Sequence, residues 1–191
     1  MLKHYSLENR PQDSRLRINE DDIVQTLDAR MGMGGGNVPL LFSVEETDGG
    51  LSMETQNSIV RRLTPTECTL LQGFPKGWCD IGDWTDTNGK VHKDSDSAKY
   101  KALGNSIALP FWDWMAGRMV AQLKKDGVEN PTMASLFDGI SGFPLVYYKH
   151  GCTPVWSSEI ENYPIAVCKY HFGDEDNGIV GDVDKYVRPI D

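Results

Sequence analysis

The sequence predicts an α/β fold, with a doubly wound parallel sheet in its C-terminal part and a small, irregular β-rich part ahead of it. Three observations predict this. From residue 131 onward, strand-like apolar runs alternate with helix-like ones. The first sixty residues show no apolar periodicity of helix length. The 191 residues, 39% hydrophobic and 25% charged, suffice for one domain with a core.

Residues 1–60 are polar and glycine-rich, and ARMGMGGGNVPLLF is their most biased stretch. The IVQTL and VPLLF segments are expected as strands flanking a turn at Gly34, Gly35 and Gly36. A phosphate cradle would need a strand-to-helix context and a following Lys-Ser/Thr, and neither is present.

The next element carries its own start and stop. In RRLTPTECTLLQGFP, Thr64 is an N-cap, Pro65 takes the first helical position and Glu67 completes a capping box. The helix should reach Gln72, with Gly73 as its left-handed stop and Pro75 preventing continuation. The segment WCDIGDWTDTNGKVHKDSDS, with its Asn88-Gly89 turn signal, reads as an exposed loop or hairpin. A second helix is expected from Ser106, on a stripe of Ile107, Phe111, Met115, Met119 and Leu123 whose ordinary role is core packing. The preceding LGNS would expose backbone N–H groups and two short polar side chains just ahead of that helix.

After the turn signal DGVENP, MASLFD is a strand, FPLVYYKHG a helix closed by Gly151, and PVWSSE a strand. YPIAVCKYHFG follows as a helix closed by Gly173, and GIVGDV as a third strand. In such a β-α-β-α-β run the ligand crevice lies at the carboxyl ends of the strands. Three signals fall there. The turn from Phe137 to Phe143 contains glycines where a ligand could approach the backbone. Glu159, twenty positions after Gly139, can accept hydrogen bonds from both hydroxyls of a ribose. Asp182 could accept from an adenine amine while Ile160 and Val183 pack on the ring. Together they point to a nucleoside-bearing cofactor. A dinucleotide site wants G-x-G-x-x-G, whereas the chain offers Gly139-x-x-Gly142, so a cofactor without phosphates fits better than the nicotinamide of a dehydrogenase.

The formal charge of −9 repels phosphate backbones and disfavours nucleic-acid binding by this chain alone, leaving a local basic face or a partner to supply it. Cys68, Cys79, Cys152 and Cys168 are irregularly spaced, which suggests neither a disulfide framework nor a metal site. No apolar run approaches membrane-spanning length and the start lacks a secretion signal, so a soluble cytoplasmic protein is expected.

These residues resemble the DNA cytosine-5 methyltransferases, which use S-adenosylmethionine. SLFDGISGF is similar to the family's first motif, with Ser141 where a glycine is usual. SSEIE and GDVDK are similar to its second and third motifs, and RRLTPTECTLLQGFP and KYKALGNSIALPFW to its ninth and tenth. The resemblance covers about residues 60 to 185 and implies a Rossmann-like S-adenosylmethionine-dependent methyltransferase fold, permuted because the closing motifs come first. It is also incomplete, with three parallel strands. The implied organisation is the end of a target-recognition region over 1–60, the closing motifs over 61–130, and the first half of the cofactor-binding catalytic domain over 131–191. Residue by residue, the resemblance implies that Phe137, Gly139, Ile140 and Gly142 meet the methionine part of the cofactor. Glu159 would hold the ribose, Asp182, Val183 and Ile160 the adenine, and Asn105 with Ser106 the methionine end.

The implied chemistry is cytosine flipping in double-stranded DNA, thiolate attack at carbon 6, methyl transfer to carbon 5 and elimination, in a bacterial or phage restriction-modification setting. The family's nucleophile is a cysteine after a proline, and none of the ten prolines here precedes a cysteine. The family's Glu-Asn-Val is likewise missing, since Glu8-Asn9, Glu129-Asn130 and Glu161-Asn162 lack the valine. QDSRLR is distantly similar to the eighth motif and otherwise belongs to the recognition region. No catalytic residue is therefore assigned to this chain, and the central motifs are expected in a second polypeptide or a missing segment. The alternative is a non-catalytic or decayed S-adenosylmethionine-binding module acting by association. In either case an open sheet edge is expected to favour dimerisation or poor solubility.

Overall fold

The computed structural model describes residues 2–10, 15–19, 24, 26–27, 31, 39–45, 59–173 and 179–180. Gly34, Gly35, Gly36, Asp182 and Val183, with the turn and the adenine contacts expected of them, lie outside the described residues.

The N-terminal part is an antiparallel sheet of β1 (Leu2–Arg10), β2 (Arg15–Asn19), β3 (Leu40–Glu45) and β4 (Ile59–Arg62), in the order β2-β1-β3-β4. Tyr5 lies directly opposite Phe42 with ring centroids 6.2 Å apart, the cross-strand aromatic pair that fixes the β1–β3 register. The expected VPLLF strand is β3, shifted toward its C-terminal end. Of the expected IVQTL strand, Val24, Thr26 and Leu27 are among the described residues, and none of these three is in a strand. Leu27 is buried instead as an anchor in the main core.

Helix α1 (Pro65–Leu71) forms as its caps dictate. Glu67 N–H donates to Thr64 Oγ1, and Glu67 Oε2 accepts the Thr64 N–H at 2.8 Å. Arg61 donates two further bonds to the same carboxylate, and with these contacts its pKa falls to about 2. Gln72 caps the helix and Gly73 turns left-handed at φ +83°. A Cβ at Gly73 would stand 2.8 Å from Pro110 Cδ, so this glycine is required twice over. Thr64→Ala is expected to cost about 1 kcal/mol, read as a lower urea midpoint with an unchanged slope.

The next segment is the expected hairpin, β5 (Trp84–Thr85) against β6 (Val91–His92), turning at Asn88-Gly89. Helix α2 (Asp96–Asn105) follows, capped by Ser95, and no apolar stripe announces it. Its anchor is Lys99, 6% exposed and paired with Asp80 and Asp94 at 2.9 Å each.

Helix α3 (Leu109–Lys125) starts three residues later than expected, and its buried face is Leu109, Ala116 and Val120. The stripe read as core is largely outside, with Phe111 59%, Met119 48% and Leu123 38% exposed. The reason is geometric. A spacing of four residues drifts about 40° per step against a 3.6-residue turn, so the four stripe positions within α3 spiral across roughly a third of the helix. At its end Gly127 is left-handed and the Val128 N–H returns to Leu123 O, closing the helix as a Schellman motif does.

The C-terminal part is the expected alternation of β7 (Thr132–Ser135), α4 (Gly142–Lys149), β8 (Thr153–Ser158), α5 (Asn162–Phe172) and β9 (Ile179–Val180). The three strands are parallel in the order β7-β8-β9. Gly151 and Gly173 close α4 and α5 as read. Trp78 locks the segment after α1 to this unit, since its Nε1 donates to Ile140 O at 2.8 Å and its ring stacks on His171 at 3.5 Å. Among the described residues no helix is long and apolar enough to cross a membrane.

Candidate functional site

The crevice lies where β7 and β8 end. Past the strands their pairing continues, as the Asp138 N–H donates to Ser158 O at 2.8 Å. One residue further, the Gly139 N–H donates to Glu159 Oε2 at 2.6 Å. Glu159 Oε1 accepts the N–H groups of Ile160 and Glu161, each at 2.8 Å. Three main-chain donors therefore fix this carboxylate, and of its roughly four acceptor positions one on Oε2 is left over.

The residues expected at the site divide by exposure. Phe137 is 77% and Ile160 74% exposed, two apolar side chains standing free beside Glu159 and the turn. Gly139 has φ +58° and nothing within 4 Å of a notional Cβ, so its backbone is open to a ligand. Ile140 is fully buried and offers its carbonyl to Trp78. Gly142 is buried as well, and its missing Cβ makes room for Leu109 Cδ2 at 3.0 Å and Phe74 Cζ at 3.3 Å. The two glycines of the turn thus serve different ends, one facing outward and one admitting the closing helices.

Asn105 and Ser106 lie at the end of α2, not ahead of α3. The Ser106 N–H is used by Leu103 O at 3.2 Å, so the donors expected to precede a helix are not on offer there. Asn105 borders a different space, which includes neither Glu159 nor the turn. It lines a cavity of about 210 Å³ with Trp84, Lys101, Glu161 and Asn162. Lys101 bonds Glu161 across it at 2.9 Å. Ile107, two residues on, would meet a Gly142 Cβ at 3.6 Å. The α2–α3 junction therefore runs from the Glu161 side of the crevice to the Gly142 side. A larger cavity of about 330 Å³ between α4, β8 and α5 includes neither Glu159 nor the turn.

Asp138 was read only as part of the turn. It is 5% exposed, and burial pushes its carboxyl up to about 6, helped by the charge of Glu159 and opposed by the hydrogen bond from Ser135 and the contact with the Cys168 thiol. An Asp between two apolar strand-like runs is the only sequence sign of it. The four cysteines are buried and free. Burial raises the thiols of Cys68 and Cys79 to about 12 and of Cys168 to about 11, which is the opposite of nucleophile activation. Among the described residues no cluster of His, Cys, Asp and Glu could hold a metal.

No family model matches the chain. It is 36% identical over 114 residues to the DNA N-6-adenine-methyltransferase of Escherichia phage P1, a match covering 48% of this chain and 15% of that protein. It is 32% identical over 95 residues to the Type II methyltransferase M.Bsp6I of Bacillus sp. (strain RFL6), covering 50% and 22% respectively. With the Type II methyltransferase M1.ScrFI of Lactococcus lactis subsp. cremoris it shares 33% identity over 73 residues, covering 38% and 16%. Over up to half of its length the chain is thus similar to DNA methyltransferases, and it spans 15% to 22% of the length of these relatives.

Proposed function

We propose that the chain is part of a permuted DNA (cytosine-5)-methyltransferase and carries the S-adenosylmethionine half-site, with the Pro-Cys nucleophile supplied by another segment or polypeptide. The observation that carries this reading is the Glu159 carboxylate, held at the end of β8 by the Gly139 N–H beside a glycine with open space above it. The residues fit the group. Glu159 has one acceptor position left for a ribose hydroxyl, on the oxygen that also accepts from Gly139. Exposed Ile160 supplies an apolar face for an adenine ring, and exposed Phe137 one for the methionine part. Asn105 would meet the methionine end of the cofactor, as the motif resemblance implies. The cofactor supplies an electrophilic methyl group, while this chain binds and orients it. The similarity to DNA methyltransferases and the five motif resemblances support double-stranded DNA as the substrate.

The test is calorimetric titration with S-adenosylmethionine. Replacing Glu159 removes a charge-assisted hydrogen bond of about 1.5–3 kcal/mol, so Glu159→Ala is expected to weaken binding by up to about 100-fold. Glu159→Gln, which keeps one acceptor oxygen, should fall between. Binding that is indifferent to both substitutions defeats the half-site. A second reading, transfer to the N6 of adenine, is favoured by the similarity to the DNA N-6-adenine-methyltransferase of phage P1. Labelled methyl groups decide between them after digestion of DNA treated with the chain and a complementing Pro-Cys segment. Label in 5-methylcytosine supports the first reading, and label in N6-methyladenine the second.

A further inference from the structure

Between Ser135 and Gly142 the backbone turns left-handed three times, at Phe137 (φ 53°), Gly139 (φ 58°) and Ser141 (φ 64°). Only one of these is glycine, and each of the others costs about 1 kcal/mol or more, so surrounding structure must impose the turn. What imposes it lies underneath. Ser135 Oγ donates to Asp138 Oδ1 at 2.6 Å, and the Cys168 thiol lies 3.9 Å from Oδ2. The main chain of Asp138 is tied in as well, with its N–H on Ser158 O and its carbonyl accepting from the Ser141 N–H at 3.1 Å. The very next N–H is that of Gly139, the one that reaches Glu159.

We propose that Asp138 is a positioning residue for the crevice: its buried carboxyl, anchored on Ser135, fixes the left-handed turn that aims the Gly139 N–H at Glu159. The proposal deepens the reading of the crevice as a cofactor half-site and rests on it for the ligand. A buried carboxyl is expensive to keep, which argues that the turn uses it. The groups facing it are Ser135 at the end of β7, Ser141 at the start of α4, Glu159 after β8 and Cys168 on α5. Its titration near neutrality gives a signature that mere packing would not.

The test combines amide hydrogen exchange and Gly139 amide chemical shifts in the ligand-free chain with calorimetric titration of S-adenosylmethionine. Asp138→Ala is expected to speed Gly139 exchange about tenfold relative to the amides of β7 and β8, and to weaken cofactor binding by about tenfold. Asp138→Asn keeps an acceptor for Ser135 and should restore the protection. In the wild type the Gly139 shift should titrate with a midpoint near 6, and in Asp138→Asn that titration should vanish. Ser135→Ala deletes only the 2.6 Å anchor and serves should Asp138→Ala fail to fold. Gly139 exchange and shift in Asp138→Ala and Ser135→Ala that match the wild type overturn the proposal. Selective exchange in a chain that binds no S-adenosylmethionine upholds the role of Asp138 in the turn and overturns the cofactor reading instead.

Discussion

Trp78→Ala is expected to lower the stability of the chain by about 4 kcal/mol, the upper range for deleting a buried aromatic. Trp78 is 7% exposed and packs on Phe74 and Phe172 besides stacking on His171. It also holds two hydrogen bonds in place. Its Nε1 donates to Ile140 O, and its carbonyl accepts from His171 Nε2 at 2.8 Å. Truncation leaves a cavity and strands the Ile140 carbonyl, which adds the cost of an unsatisfied buried acceptor. Because Ile140 sits between the two glycines of the turn, the loss should fall on the crevice as well as on the global midpoint. Chemical denaturation checks the size of the effect, and a Trp78→Phe variant that recovers most of the packing but not the crevice would separate the two parts. A loss below about 1 kcal/mol would mean that the closing motifs and the parallel sheet do not share one core.

The second large effect is a pH dependence. The Asp138 carboxyl is raised from 3.8 to about 6 in the folded chain. Between these values the folded state holds a proton that the unfolded state has released, so stability falls as pH rises and the loss is complete above the folded value. From about pH 4.5 to about pH 7 this amounts to roughly 2 kcal/mol. Glu67, depressed to about 2, acts in the opposite sense at lower pH, where its contribution is lost as it protonates. Subtracting the stability profile of Asp138→Asn from that of the wild type isolates the Asp138 contribution. A flat difference across that range would mean that the carboxyl is solvated.

The sequence announced what is decided locally. Thr64, Pro65, Glu67 and Gly73 specify α1 because caps act within one turn of the chain, and Asn88-Gly89 specifies its hairpin for the same reason. The twenty-residue spacing from Gly139 to Glu159 was legible because a β-α-β unit has a fixed size, and the hydrogen bond between them is what that spacing achieves. Strand β1 went unnamed, since it is set by pairing with β3, over 30 positions away from Tyr5 in the case of Phe42, and the edge strand β2 pairs in turn with β1. Helix α2 was invisible because Lys99 takes the place of an apolar anchor, and a lysine signals burial only once Asp80 and Asp94 are seen around it. Asp138 escaped for a related reason. Burial of a carboxyl is a property of the whole assembly, and the letters D-G read the same in a solvated turn.

The connection from α3 to β7 has a consequence of another kind. Residues 126–130 are exposed, and none of them lines either of the two cavities described above. The closing helices are fastened to the sheet by Trp78, Leu109 and the space at Gly142, not by this peptide link. Order along a gene and order in space are therefore separable here: cutting the link and splicing the ends elsewhere leaves every pocket-forming neighbour in place. Heredity can rotate the reading order of such a protein as one turns a ring, and selection acting on the pocket would not notice where the ring was opened.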